Sequence, residues 1–256
     1  MASLISLILL LIPSIQTTAG APEPEYTIEA IRFGTIPQFR TASLAAPQSA
    51  LPLTDAALVQ SKLGMYADAD ETFKKSMALN PPPEIASAAA FGLAQLCRIT
   101  GRLSDALRLA QSAAKLYPDE DRFWLELGDC YSEIGGHGAE ARQAYLRALK
   151  DAEDKLKSSS DASTQMFLTL YQLKVGASRS TVDTIATAES IGATDADSRL
   201  CKLRILALTE QRDRALDTLA DCLRSGVTIF QVDFTPDLQS LRKDSRYYKI
   251  SKTRPR

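Results

Sequence analysis

The sequence predicts an all-α protein built from two-helix hairpins stacked side by side. Three observations carry that expectation: small and apolar residues return at helical spacing in successive blocks, glycines fall near the middle of those blocks, and prolines close the first two. The first block holds Ala56, Ala57, Gln60, Leu63, Ala69, Phe73, Ser76 and Leu79, and Pro81 ends it. The second holds Leu93, Ala94, Cys97, Gly101, Ala106, Ala110 and Ala113, and ends at Pro118. Trp124, Leu127, Gly128, Tyr131, Gly135, Ala141, Tyr145 and Ala148 make the third and clearest. Residues three and four apart share a helix face, so each block describes two helices with one packed stripe apiece.

The pattern has a packing logic. A small residue in the middle of each helix lets the pair approach closely, and large residues one turn away fill the space on either side. Glycine releases the chain into the turn, and proline ends the second helix. A single hairpin buries too little surface to stand alone, so several must stack.

These residues resemble the tetratricopeptide repeat, whose period is about 34 residues. The third block matches nearly every position of that pattern, with one inserted residue around Gly136-His137-Gly138. Leu93, Gly101, Ala106, Ala113 and Pro118 match in the second block, and Gly64, Ala69, Phe73 and Pro81 in the first. Two weaker units follow, through Leu168, Gln172, Gly176, Ile185 and Ala188, then Leu203, Leu206, Ala215, Leu219 and Cys222. Thr169 and Thr181 blur the register of the fourth unit, and Glu210 stands where the turn glycine of the fifth belongs. The resemblance covers residues 50–226 and implies a right-handed superhelix, an α-solenoid of about five hairpins. Gly226 through Tyr247 resembles the closing segment found after such repeats in bacterial proteins, including some fused to signalling kinases, although the chain carries no kinase motif. Within 227–256, Val227, Ile229, Phe230, Val232, Phe234, Leu238, Leu241 and Tyr247 are expected to cap the last hairpin. Lys249 to Arg256 reads as a frayed basic tail.

Composition narrows the function. Of 256 residues, 45% are hydrophobic and 24% charged, the balance of a folded protein. The 30 Lys and Arg against 31 Asp and Glu leave a net charge of -1, which gives no global attraction for nucleic acid. Leu4 to Ile12 is apolar apart from Ser6, and small residues follow at Thr17, Ala19 and Ala21. Residues 1–21 therefore read as a signal peptide, although no Lys or Arg precedes the apolar run. A periplasmic or secreted protein, soluble after cleavage, is expected. Residues 22–49, punctuated by Pro22, Pro24, Pro37 and Pro47, read as an extended linker. Within it, Ile31-Arg32-Phe33-Gly34-Thr35 and Pro37-Gln38-Phe39 resemble the opening strands of secreted metallo-β-lactamase-fold hydrolases. That family needs a cluster of histidines and aspartates, and this chain has one histidine, so the activity does not carry over.

The search for chemistry returns no catalytic centre, metal site or cofactor site. His137 lies between two glycines in a predicted turn, a poor place to hold a general base. Asp119-Glu120-Asp121 reads as an N-terminal helix cap. Cys97, Cys130, Cys201 and Cys222 lack close zinc-type spacing. In an exported protein Cys201 and Cys222, equidistant from a turn near Gln211, are placed to pair; the alternative is two buried thiols. Ser158-Ser159-Ser160 is expected to end an extended second helix in the third unit.

The resemblance implies that the first helix of each hairpin lines a concave groove where protein segments dock. Carried over unit by unit, the groove residues are Phe91, Gln95 and Arg98, then Arg122, Leu125, Asp129 and Glu133, then Met166, Leu170 and Lys174, and finally Arg204. Their mixed character suits a protein or peptide partner. Leu58, Gln95 and Asp129 occupy positions where the family's clamp for chaperone C-termini has asparagine and lysine, so that partner is not expected. The expected function is a non-catalytic scaffold in the cell envelope; the alternatives are an accessory subunit of an envelope enzyme or a structural assembly factor.

Overall fold

The computed structural model describes residues 50–176, 181–190 and 192–252. The predicted signal peptide and the 22–49 segment lie outside them. The helices pair in sequence order: α1 (Leu51–Lys62) with α2 (Tyr66–Ala78), α3 (Pro83–Ile99) with α4 (Leu103–Leu116), and α5 (Asp121–Ile134) with α6 (Gly138–Ser158). Next come α7 (Ala162–Lys174) with α8 (Thr181–Ser190), and α9 (Ala196–Leu208) with α10 (Arg212–Arg224). A short α11 (Ile229–Asp233), two 3-10 turns (Pro236–Leu238 and Leu241–Lys243) and α12 (Ser245–Lys252) follow. This is the expected α-solenoid of five hairpins with a C-terminal cap.

Local chemistry explains the breaks. Pro83 opens α3, where its fixed φ suits a first helical turn and its missing N–H costs nothing. At the end of α1 the Met65 N–H donates to the Gln60 carbonyl (2.9 Å) and the Gly64 N–H to that of Ser61 (3.1 Å). The same pair of bonds closes α3, from Arg102 to Cys97 (2.8 Å) and from Gly101 to Arg98 (3.0 Å). The motif needs a left-handed residue after the cap, which Gly64 and Gly101 supply at φ 75° and 78°. α9 ends identically, from Gln211 to Leu206 (2.9 Å) and Glu210 to Ala207 (3.2 Å), but its left-handed residue is Glu210 at φ 58°. A side chain there crowds its own backbone by roughly 1–2 kcal/mol, partly offset by the extra unfolded-state freedom of glycine. Glu210→Gly is therefore expected to stabilise the protein by about 0.5–1 kcal/mol, read as a higher midpoint in urea with an unchanged slope. An unaltered midpoint would show that the strain is absorbed elsewhere.

The interior forms two hydrophobic clusters, one spanning α1 to α6 and one running from α5 into the cap. Trp124 and Tyr131 pack against both, so the third hairpin joins them. Polar pins hold the first hairpin together: Thr54 Oγ1 and Ser76 Oγ lie 2.7 Å apart, and Ser76 donates to the Ala50 carbonyl at 3.0 Å. α6 runs on to Ser158 as expected.

Three expectations need correction. Glu120 and Asp121 do stand at the N-terminus of α5, but no side chain caps it; both are buried, Glu120 bonds Lys155 at 3.1 Å, and Asp121 pairs with Lys155 and accepts from the Tyr171 hydroxyl at 2.5 Å. Two later helices supply their partners, Lys155 from α6 and Tyr171 from α7, which the local sequence does not show. Lys249 to Lys252 is the last turn of α12 rather than a frayed tail, because the helix packs on α10. Cys201 and Cys222 are free, buried thiols, and that of Cys201 donates to the Met166 carbonyl at 3.6 Å.

Val227, Val232, Leu238, Leu241 and Tyr247 are buried in the cap as expected, while Phe234 is 41% exposed. The side chain of Phe230 lies outside the described residues.

Candidate protein-binding groove

The first helices of the hairpins line one side of the array, and the cap lies against them. Their buried charges form a network centred on Asp129. Its carboxylate accepts from the Tyr145 hydroxyl (2.9 Å) and Arg204 Nη2 (2.7 Å) and lies 3.2 Å from Lys174 Nζ. Burial works against this charge, but Arg204, Lys174 and Arg98 outweigh it and hold the carboxyl well below the usual carboxylate range. Asp237 of the cap closes the network, accepting from Lys174 Nζ at 2.6 Å and Arg204 Nε at 2.7 Å. Beside it Arg98 donates to Glu126 (2.7 Å), to Glu133 (2.8 Å) and to the Phe234 carbonyl (2.8 Å). The segment from Phe234 to Leu238 thus lies along the inner helices, where a bound segment was expected.

This redistributes the predicted residues. Arg98, Asp129, Glu133, Lys174 and Arg204 are on the inner side but are engaged within the chain. Met166 and Leu170 are fully buried core residues, since their helix turns them toward the neighbouring hairpin. Phe91, Gln95, Arg122 and Leu125 line what remains open, a cavity of about 230 Å³ that Arg98 and Arg204 also border. Phe91 packs on Phe123, ring centroids 4.9 Å apart. The Arg122 guanidinium lies 4.4 Å over the Phe167 ring and donates to Ser163 (2.7 Å) and Asp197 (3.3 Å). α1 and α9 both border the cavity, and although enclosure disfavours the Asp197 charge, Lys62 and Arg122 lower its pKa.

Several lining residues escaped the sequence reading: Asp55 on α1, Phe123 on α5, Phe167 on α7 and Gln231 in the cap, whereas the resemblance places Leu58 at a clamp position. The resemblance that placed Phe91 and Gln95, carried to α1 one turn before Leu58, would have found Asp55. Gln231 had no such signal.

His137 is exposed, 3.3 Å from Glu140 in the loop before α6. Among the described residues no cluster of His, Cys, Asp and Glu is placed to hold a metal ion. None of the described helices is long and apolar enough to cross a membrane.

The fold and groove define a helical-hairpin solenoid with an inner recess. Residues 87–130 match the tetratricopeptide repeat family. Among solved structures, human IFIT1, solved as a dimer with PPP-AAAA, aligns with a TM-score of 0.50 at 15% identity, over 85% of this chain and 54% of its own. YrrB, described as a tetratricopeptide-repeat protein with an unusual peptide-binding site, aligns with a TM-score of 0.43 at 17% identity, over 79% and 94%. MamA aligns with a TM-score of 0.42 at 19% identity, over 60% and 85%. No curated protein sequence matches the chain.

Proposed function

We propose that this protein is a non-catalytic scaffold that binds a protein or peptide segment at the open part of its inner groove. The observation that carries this reading is the recess between α1, α3, α5 and α9. It has aromatic walls at Phe91, Phe123 and Phe167, and it lies beside the segment of the chain's own cap that occupies the rest of the groove. Aromatic anchors in a desolvated pocket beside oriented charges are a common hot-spot arrangement. The apolar Leu4 to Ile12 run supports a place in the cell envelope.

A photo-crosslinker at Gln95, which borders the recess, is expected to capture a defined partner segment from envelope fractions. The same group at Arg142, exposed on α6, is expected to capture none. Phe91→Ala should reduce capture several-fold, in keeping with loss of an aromatic anchor, with helicity unchanged. Equal capture from both positions would refute the groove reading, and a partner found only in cytoplasmic fractions would refute the location.

A further inference from the structure

We propose that the recess is an anchor pocket for a lysine side chain of the bound segment, with its methylenes against Leu58, Phe91 and Phe123 and its ammonium on the carboxylate of Asp55. The inference deepens the groove reading and rests on it. It begins from an imbalance among the buried carboxylates. Glu120 and Asp121 are paired with Lys155, Glu126 with Arg98, Asp129 with Arg204 and Lys174, and Asp151 with Arg147. Asp55 is only 8% exposed, and its Oδ1 has no hydrogen-bond partner among the described residues.

Asp55 borders the recess from α1, and no described charge acts on it: burial alone pushes its carboxyl up to about 7. Lys62 also lines the recess, two turns along the same helix, but it is exposed and forms no ion pair with Asp55. The cations around the rest of the recess are engaged, Arg98 with Glu126, Arg122 with Asp197 and Arg204 with Asp237. The unmet partner of Asp55 is therefore one positive charge, reached from the recess at the end of an apolar stem. The carboxylate is already desolvated by the fold, so an incoming cation need only shed its own water.

Size points the same way. A cavity of about 150 Å³ admits benzene, so about 230 Å³ holds a four-methylene stem. Only Oδ1 of Asp55 is buried without a partner among the described residues, and a single acceptor atom suits the point charge of an ammonium better than the fork of a guanidinium, which is matched by both oxygens of a carboxylate.

The pocket can be probed in the full chain without knowing the partner. n-Pentylamine is the probe and 1-pentanol its neutral counterpart, with binding read by calorimetry and by the thermal midpoint. The amine is expected to bind at least about tenfold more tightly than the alcohol, the worth of a charged hydrogen bond. Asp55→Asn should erase that difference while leaving the fold intact. Amine and alcohol binding alike, or neither binding, would overturn the lysine pocket and leave the groove reading standing. Loss of the amine preference in Asp55→Asn, together with weakened crosslinking at Gln95, supports both. An intact amine preference with no crosslinked partner overturns the groove reading, and with it a protein segment as the source of the lysine.

Discussion

Replacing Gly128 with leucine is expected to lower the thermal midpoint sharply and to loosen the middle of the array. A Cβ on Gly128 would meet the Tyr145 ring, 2.6 Å from Cδ1 and 2.9 Å from Cζ, too close for any side chain. That ring cannot yield freely. It is buried, Lys174 Nζ lies 5.1 Å from its centroid, and its hydroxyl is fixed on Asp129. Moving it separates α5 from α6 and removes a hydrogen bond from the buried network. Overpacking alone costs about 1–3 kcal/mol, and the lost bond to a charged acceptor adds about 1.5–3 kcal/mol. Even Gly128→Ala should be destabilising. Circular dichroism followed against temperature decides the matter: an unchanged midpoint for the leucine variant would mean that α5 and α6 do not meet at this glycine.

The second large effect is expected at Asp129. Asp129→Asn leaves Lys174 and Arg204 sharing Asp237 alone, in a region with little water to screen them. Removing one partner of a buried ion pair costs about 3–5 kcal/mol, measurable by urea unfolding near neutral pH. The acid limb gives an independent reading. Because the native pKa of Asp129 is depressed, its contribution is present above the unfolded value of about 3.9 and is lost as pH falls through the native value. The wild-type protein should therefore lose stability steeply below about pH 4, and Asp129→Asn should lose it less steeply. Parallel acid limbs would show that Asp129 is not ionised in the native state. Reversal of Asp129 to lysine is a poor probe of binding, because it places a third cation in the network.

The hairpins were legible because their signals are local. Gly128 with Tyr145, Gly64, Gly101 and the two prolines each act within one unit, and the Trp124 to Ala148 block carries nearly a whole repeat in its own spacing. Even Glu210 was readable, since its neighbours fix the register in which it replaces a glycine. Gly92 was missed, lost in the small-residue run around Ala88 to Ala90. In the structure it admits Phe73 and Leu58, and a Cβ there would meet Phe73 Cζ at 2.5 Å.

The groove was legible only in outline. The resemblance placed Arg98, Asp129, Lys174 and Arg204 on the inner side, but it is blind to what comes to lie against them. Glu126 and Asp237 decide that question. Asp237 belongs to a segment whose periodicity had already ended, so its bond to Arg204 leaves no trace in the repeat pattern. The bond from Arg98 to the Phe234 carbonyl is harder still to foresee, because a backbone acceptor has no sequence signature.

That late segment also imposes an order on assembly. Arg98, Asp129, Lys174 and Arg204 are all synthesised before Asp237, so a growing chain can stack its five hairpins while two cations still share one carboxylate. At that stage Lys174 and Arg204 have Asp129 alone between them, and the Arg98 guanidinium lacks its carbonyl. Only when Phe234 to Leu238 emerges does the array acquire its counter-charge and its last internal acceptor. A nascent chain halted short of Asp237 would thus hold two buried cations on one carboxylate, and it is the segment made after the last hairpin that relieves them.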